Sequence, residues 1–208
     1  MQYKYFNISP VRSRKINSTL RAAQLGLGIF FGVDIDLPPV FFVQSRKDID
    51  KIWRRKTEDW FCAWANTGGI YILHPKVFAK ESDHKAAYFW KVLKHEYVHL
   101  YYRRMVGTGN PRWLNEGLAC YLAKQEKSVP DKKLLLGLNK FFDRGDKDIY
   151  GVGYFWTKYL IEKYGKAKLL KLIKTISSET TKNKFNTSFK KIYGFGLTRE
   201  ELSKIIKK

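Results

Sequence analysis

Residues 86–106, AAYFWKVLKHEYVHLYYRRMV, contain neither proline nor glycine, and their middle reads Lys94-His95-Glu96-Tyr97-Val98-His99. This stretch constrains the fold more than any other. Its mix of apolar and basic residues predicts one long helix. On a helix, residues four apart share a face. His95 and His99 then offer two imidazole nitrogens to one metal ion, and a structural histidine pair is the competing reading. Glu96, the next residue round the helix, stands beside that ion and is placed to take a proton from water. A helix-surface salt bridge to a lysine is its alternative role.

The residues downstream sharpen the expectation. Gly107 predicts the helix stop and Gly109-Asn110-Pro111 a turn. Asn110 is expected to cap a second helix with Pro111 at its first position. That helix carries Trp113-Leu114-Asn115-Glu116-Gly117, and sixteen residues separate His99 from Glu116. This spacing is enough to finish one helix, turn back and present a carboxylate from the next. Two histidines, one glutamate and an open fourth position describe a catalytic zinc site rather than a closed structural one, with one Zn2+ per chain.

His95-Glu96-Tyr97-Val98-His99 followed by W-L-N-E-G-L-A resembles the gluzincin metallopeptidases, most closely their aminopeptidase branch. The resemblance implies an α+β, zincin-like fold: a small twisted N-terminal sheet with the metal-binding helix, then a mainly helical C-terminal lobe. It implies Glu116 as the third zinc ligand. Tyr150-Gly151-Val152-Gly153-Tyr154-Phe155-Trp156-Thr157-Lys158-Tyr159-Leu160 is similar to that branch's Y-x-x-G-aromatic-x4-Y-L helix. The similarity implies that Tyr150 donates to the oxyanion, with Tyr154, one turn on, as the rival. In this clan an edge strand just before the metal helix pairs with the substrate backbone, which implies that role for Gly69, Ile70 and Tyr71; an ordinary sheet strand is the alternative. The chain departs from the aminopeptidases in two ways. Its spacer before the glutamate is shorter. Where they carry G-x-M-E-N, Ala65-Asn66-Thr67-Gly68-Gly69-Ile70-Tyr71 has no acidic residue. A stripped-down gluzincin core describes it better.

A chain of 208 residues that is 44% hydrophobic and 16% aromatic can bury a real core as one catalytic domain. Two lobes are expected within it, at about 12–107 and 108–208. Lys and Arg number 40 against 19 acids, a net charge of +21. This excess is either a solvated lysine-rich surface or a weak binder of polyanions. It is densest in residues 151–208, with 14 basic and 4 acidic side chains. Two cysteines, Cys62 and Cys120, make no disulfide framework. No apolar signal-peptide core opens the chain, and the run from Leu25 to Val33 is too short to span a bilayer. A cytoplasmic protein without a transmembrane segment is the expectation.

Residues 1–10 read as an arm, and 12–32 as a helix. Val40 to Val43 reads as a buried strand, with a helix capped by Ser45 running to about Arg55. Trp60 to Trp64 and Ile70 to Leu73 read as strands joined by a hairpin-type turn. His74 and His84 fall near loops or helix ends, where capping or solvated roles are expected. Beyond Glu116, helices are expected from Pro130 to about Phe142, Ile149 to Tyr164, Ala167 to Ile176, Phe185 to Tyr193 and Thr198 to Lys207. Thr198-x-x-Glu201 forms a capping box. Cys120, one turn after Glu116, is either a small core residue or a neighbour of the metal site.

The expected function is peptide hydrolysis, with Zn2+ on His95, His99 and Glu116, Glu96 as general base and Tyr150 as oxyanion donor. The alternative is a non-catalytic zincin-like scaffold whose basic surface binds nucleic acid or anionic membrane.

Overall fold

The computed structural model describes residues 9–206, an α+β chain that divides into two compact units at Leu100–Tyr101. The division falls inside a helix. Helical periodicity runs unbroken through that point and gives no sign of it.

The first unit opens with α1 (Arg14–Phe31). The Ser13 side chain accepts from the Ile16 amide, and Gly32, at φ 71°, donates to the Gly28 carbonyl at 2.8 Å. Ile16, Leu20, Leu27 and Phe31 turn inward. Next come β1 (Val40–Val43), α2 (Arg46–Trp53), β2 (Ala63–Asn66) and β3 (Gly69–Leu73). Ser45 caps α2 as expected, accepting from Asp48 N at 3.2 Å. Residues 57–61, ahead of β2, are pinned by the Arg46 guanidinium, which donates to the carbonyls of Glu58, Asp59, Phe61 and Glu81. Glu58 to Phe61 are thereby held as a turn, closed by Phe61 N donating to Glu58 O at 2.9 Å, and β2 begins only at Ala63.

Sheet order is β1-β3-β2, with β1 parallel and β2 antiparallel to β3. Two residues, Thr67 and Gly68, close the β2–β3 hairpin. Gly69 must be glycine: φ is 133°, and a Cβ there would strike the Pro39 carbonyl. Register aligns Phe41, Tyr71 and Trp64 across one face, where their rings stack at 4.8 and 5.1 Å. The other face presents Ile70 and Ile72, both fully buried.

A short α3 (Pro75–Phe78) is capped by His74, whose Nδ1 accepts from the Lys76 amide at 3.1 Å. A 3-10 turn, Ala86–Tyr88, leads into α4 (Phe89–Val106). Phe89, Val92, Leu93, Tyr97, Val98, Tyr101 and Tyr102 are buried round α4, so this helix is apolar on almost every side.

The second unit is helical: α5 (Arg112–Leu122), α6 (Lys132–Leu135), a 3-10 turn (Leu138–Phe141), α7 (Asp148–Tyr164), α8 (Lys166–Ile173), α9 (Lys182–Tyr193) and α10 (Arg199–Ile206). Gly107 ends α4 at φ 71°. Pro111, not Asn110, occupies the cap position of α5, and the first free amide, Arg112 N, donates instead to Phe142 O at 2.7 Å. The helix expected from Pro130 to Phe142 is broken at Gly137 into one α turn and one 3-10 turn. The later helices lie close to expectation. Thr198 Oγ1 accepts from Glu201 N at 3.3 Å, forming half of the capping box. The core gathers Trp113, Trp156, Phe185 and Phe189, with Trp156 Nε1 donating to Leu135 O at 3.1 Å.

Candidate metal centre

Helix α4 places His95, Glu96 and His99 in one cluster. A ligand atom from each lies within 4.8 Å of those of the other two. The imidazole rings stand 4.7 Å apart at 86°, so their planes cross rather than stack. His95 is 5% and Glu96 6% exposed, and His99 is half-buried. Two imidazole nitrogens and a carboxylate oxygen in that space suit a borderline-soft divalent ion such as Zn2+.

The surroundings hold this arc of the helix still. Tyr97, the next residue after Glu96, sends its hydroxyl to the Ile35 carbonyl at 3.3 Å. Cys62, at the entrance to β2, lies within electrostatic reach of Glu96. Burial pushes its thiol up to about 12, and the Glu96 charge adds to the effect. Nothing in the sequence joined Cys62 to Glu96, because β2 and α4 are far apart in the chain.

Glu116 and Tyr150 belong to the second unit. Glu116 sits in the middle of α5, where Trp113 through Cys120 are all buried. Asn115, beside it, donates from Nδ2 to the Gly109 carbonyl at 3.3 Å and so ties α5 to the turn before it. Cys120 is fully buried, with Sγ 3.7 Å from Gln125 Oε1. Its place is in the core.

Tyr150 stands in the first turn of α7, half-buried, with Lys127 Nζ 5.7 Å from its ring centroid. Tyr154, one turn on, is also half-buried, and desolvation raises its phenol above the ordinary value. The two helices meet through glycines. A Cβ on Gly153 would run into the Trp113 carbonyl and reach Gly117 N at 3.0 Å, and one on Gly117 would strike the Gly153 carbonyl and Thr157 Oγ1. The backbones of α5 and α7 therefore touch one residue after Glu116 and one turn after Tyr150. Both glycines stood in the sequence as helix-interior glycines, the available sign of a close crossing.

The edge-strand role expected for Gly69, Ile70 and Tyr71 is not available. They lie in β3, the central strand, whose two sides are taken up by β1 and β2. A peptide cannot pair with backbone groups already used by neighbours. Among the described residues, β1 and β2 are the outer strands. His84 packs between the Tyr88 and Phe78 rings, at 4.9 and 6.0 Å, and has no place in the cluster.

Among the described residues no helix is long and apolar enough to cross a membrane. No protein-family model, curated protein or solved structure matches the chain.

Proposed function

We propose that this chain is a zinc-dependent peptide hydrolase with a zincin-like core of the gluzincin kind. The observation that carries the reading is the His95–Glu96–His99 cluster, two of its members buried and His99 half-buried, whose ligand atoms lie within 4.8 Å of one another on α4. His95 and His99 hold the ion, and Glu116, by its place in the Trp113–Gly117 string, is the third ligand. Zn2+ bound there supplies a Lewis acid and lowers the pKa of water.

The chain's own groups do the rest. Glu96 takes a proton from the attacking water and hands it to the leaving amine. The Tyr150 hydroxyl donates to the oxyanion that forms on the scissile carbonyl.

The test is zinc content and peptide-library cleavage on wild type, Glu96→Gln and His99→Ala. Glu96→Gln keeps size and removes basicity, so zinc stays near one per chain while hydrolysis falls to background. His99→Ala loses the metal. A wild type that holds zinc and cleaves nothing favours the non-catalytic scaffold. Equal cleavage by wild type and Glu96→Gln rejects the assignment of the base.

A further inference from the structure

The C-terminal unit carries a surface that hydrolysis does not use. Along α7 and into α8, lysines alternate with aromatic rings and sit over them. Lys163 Nζ lies 5.2 Å from the Tyr159 centroid and 5.8 Å from that of Tyr164. Lys168 Nζ lies 5.1 Å from Tyr164 and 5.5 Å from Tyr193. Tyr164 thus lies near two ammonium groups; beneath it the buried Tyr193 ring packs at 5.3 Å, and Phe195, half-buried, lies beside it at 6.1 Å.

Lys163 Nζ lies 2.9 Å from the Tyr159 hydroxyl oxygen, a neutral partner, and among the described residues no carboxylate forms an ion pair with Lys163 or Lys168. Lysines at the margins differ: Lys158 pairs with Glu162 at 3.9 Å and Lys190 with Glu201 at 3.5 Å. Two like charges over one ring repel at a range that physiological salt screens only in part, because the screening length there is about 8 Å. An anion lying between them relieves that repulsion.

Tyr159, Tyr164 and Phe195 are half-buried, so each keeps part of its ring at the surface. The strongly exposed large apolar side chains among the described residues are Leu25, Ile29, Trp53 and Val129, none of them on α7, α8 or α9. The face therefore has nothing to insert into a bilayer. It has what a flexible polyanion with flat bases needs: uncompensated cations for phosphates and ring surface for stacking. We infer that the Lys163–Tyr164–Lys168 face of α7 and α8, with Tyr159 and Phe195 beside it, is a binding surface for single-stranded nucleic acid. This inference is independent of the proposed hydrolysis.

The full chain is titrated into a labelled oligothymidylate of about 20 nucleotides, longer than the roughly 4–16 that one such groove covers, across a series of salt concentrations. Wild type binds at low salt, with affinity falling steeply as salt rises. The double variant Lys163→Gln/Lys168→Gln flattens the log–log salt slope by about 1.4, since each lost phosphate contact on a single strand is worth about 0.7. Lys182→Gln/Lys184→Gln, on the exposed start of α9 away from the rings, changes affinity less. Tyr159→Ala weakens binding by about 10-fold and Tyr159→Phe retains it, with melting curves confirming that each variant folds.

Equal losses from the two lysine pairs would reduce the surface to bulk charge and overturn the proposal. Equal affinity for a duplex of the same length would remove the stacking argument, and the proposal with it. Sedimentation with phosphatidylglycerol vesicles, without oligonucleotide binding, would assign the face to a membrane.

Discussion

The glycine crossing of α5 and α7 makes a quantitative test of how the second unit is built. Gly153→Ala adds one methyl group at a point where the nearest atoms are backbone: the Trp113 carbonyl, Gly117 N at 3.0 Å and Gly117 Cα at 3.2 Å. Ordinary van der Waals contact begins near 3.4 Å, and the carbonyl is closer than the other two atoms. No side chain can swing aside, so the helices must separate. Overpacking of this kind costs about 1–3 kcal/mol. Replacing an interior helical glycine by alanine returns about 1 kcal/mol through chain entropy. Because the clash is with backbone, the upper part of the overpacking range applies, and the net loss is about 1–2 kcal/mol. For a chain of this size that lowers Tm by roughly 2–8 °C.

Gly26→Ala on α1 is the matched control. It is also an interior helical glycine, but exposed, with nothing within 4 Å of an added Cβ. It gains the entropy without the clash, so Tm rises by about 1–4 °C. The assay is thermal unfolding of both variants followed by circular dichroism. The positions of Glu116 and Tyr150 beside the crossing give a second readout. A shift of about 1 Å in a group that acts on substrate can cost roughly 100-fold in rate. Gly153→Ala is thus expected to lose far more turnover than its remaining folded fraction explains. A Gly153→Ala protein at least as stable as wild type would refute the close approach of the two backbones, whatever its activity.

Four further outcomes are expected. Tyr150→Phe lowers turnover by about 10²–10³ with zinc content unchanged, as for a hydroxyl that acts on the oxyanion; if Tyr154→Phe does this instead, the helix is misaligned by one turn. Peptides with an acetylated N-terminus are cleaved about as well as free ones, because Ala65–Tyr71 offers no acidic group to a free amine; strict dependence on a free amine, measured by competition between the two peptide sets, would count against this. Cys62 and Cys120 are both buried, so a thiol reagent at neutral pH finds neither until the chain is denatured, and then finds two. The Cys62 thiol, held up to about 12 in the fold against an ordinary 9.0, contributes fully below pH 9. Its contribution is lost as pH rises from 9 towards 12, so unfolding titrations should show stability falling over that window.

The features read correctly from sequence are those set within a few residues. Ser45 and Thr198 accept from the amides three residues on, and Gly107 ends its helix at positive φ. These are local bonds and local sterics, so neighbours in the chain determine them. Strand pairing is different. Val40–Val43 and Gly69–Leu73 were legible as apolar runs, but a run does not say what lies beside it. The parallel partner of β3 arrives from across α2, and that places β3 in the middle instead of at an edge. The start of β2 likewise depends on Arg46, whose hold on residues 57–61 reaches across the intervening α2 and the segment after it.

The candidate centre was legible for a reason that the burial of α4 makes physical. This helix keeps its exposed charges towards its two ends. Lys91, Arg103 and Arg104 face solvent, while His95 and Glu96 sit among Leu93, Tyr97 and Val98 in the interior. A pair of histidines serving only as surface groups gains nothing from that interior stretch. Burying two titratable groups in the middle of an apolar helix costs several kcal/mol unless something compensates. Folding therefore keeps such groups inside only where they meet partners of matching chemistry. In α4 the three groups stand beside one another, with ligand atoms within 4.8 Å. A cation held by His95 and His99, with the Glu96 carboxylate beside it, would offset part of that cost. The same step predicts that zinc raises the thermal stability of wild type and leaves that of His99→Ala unchanged.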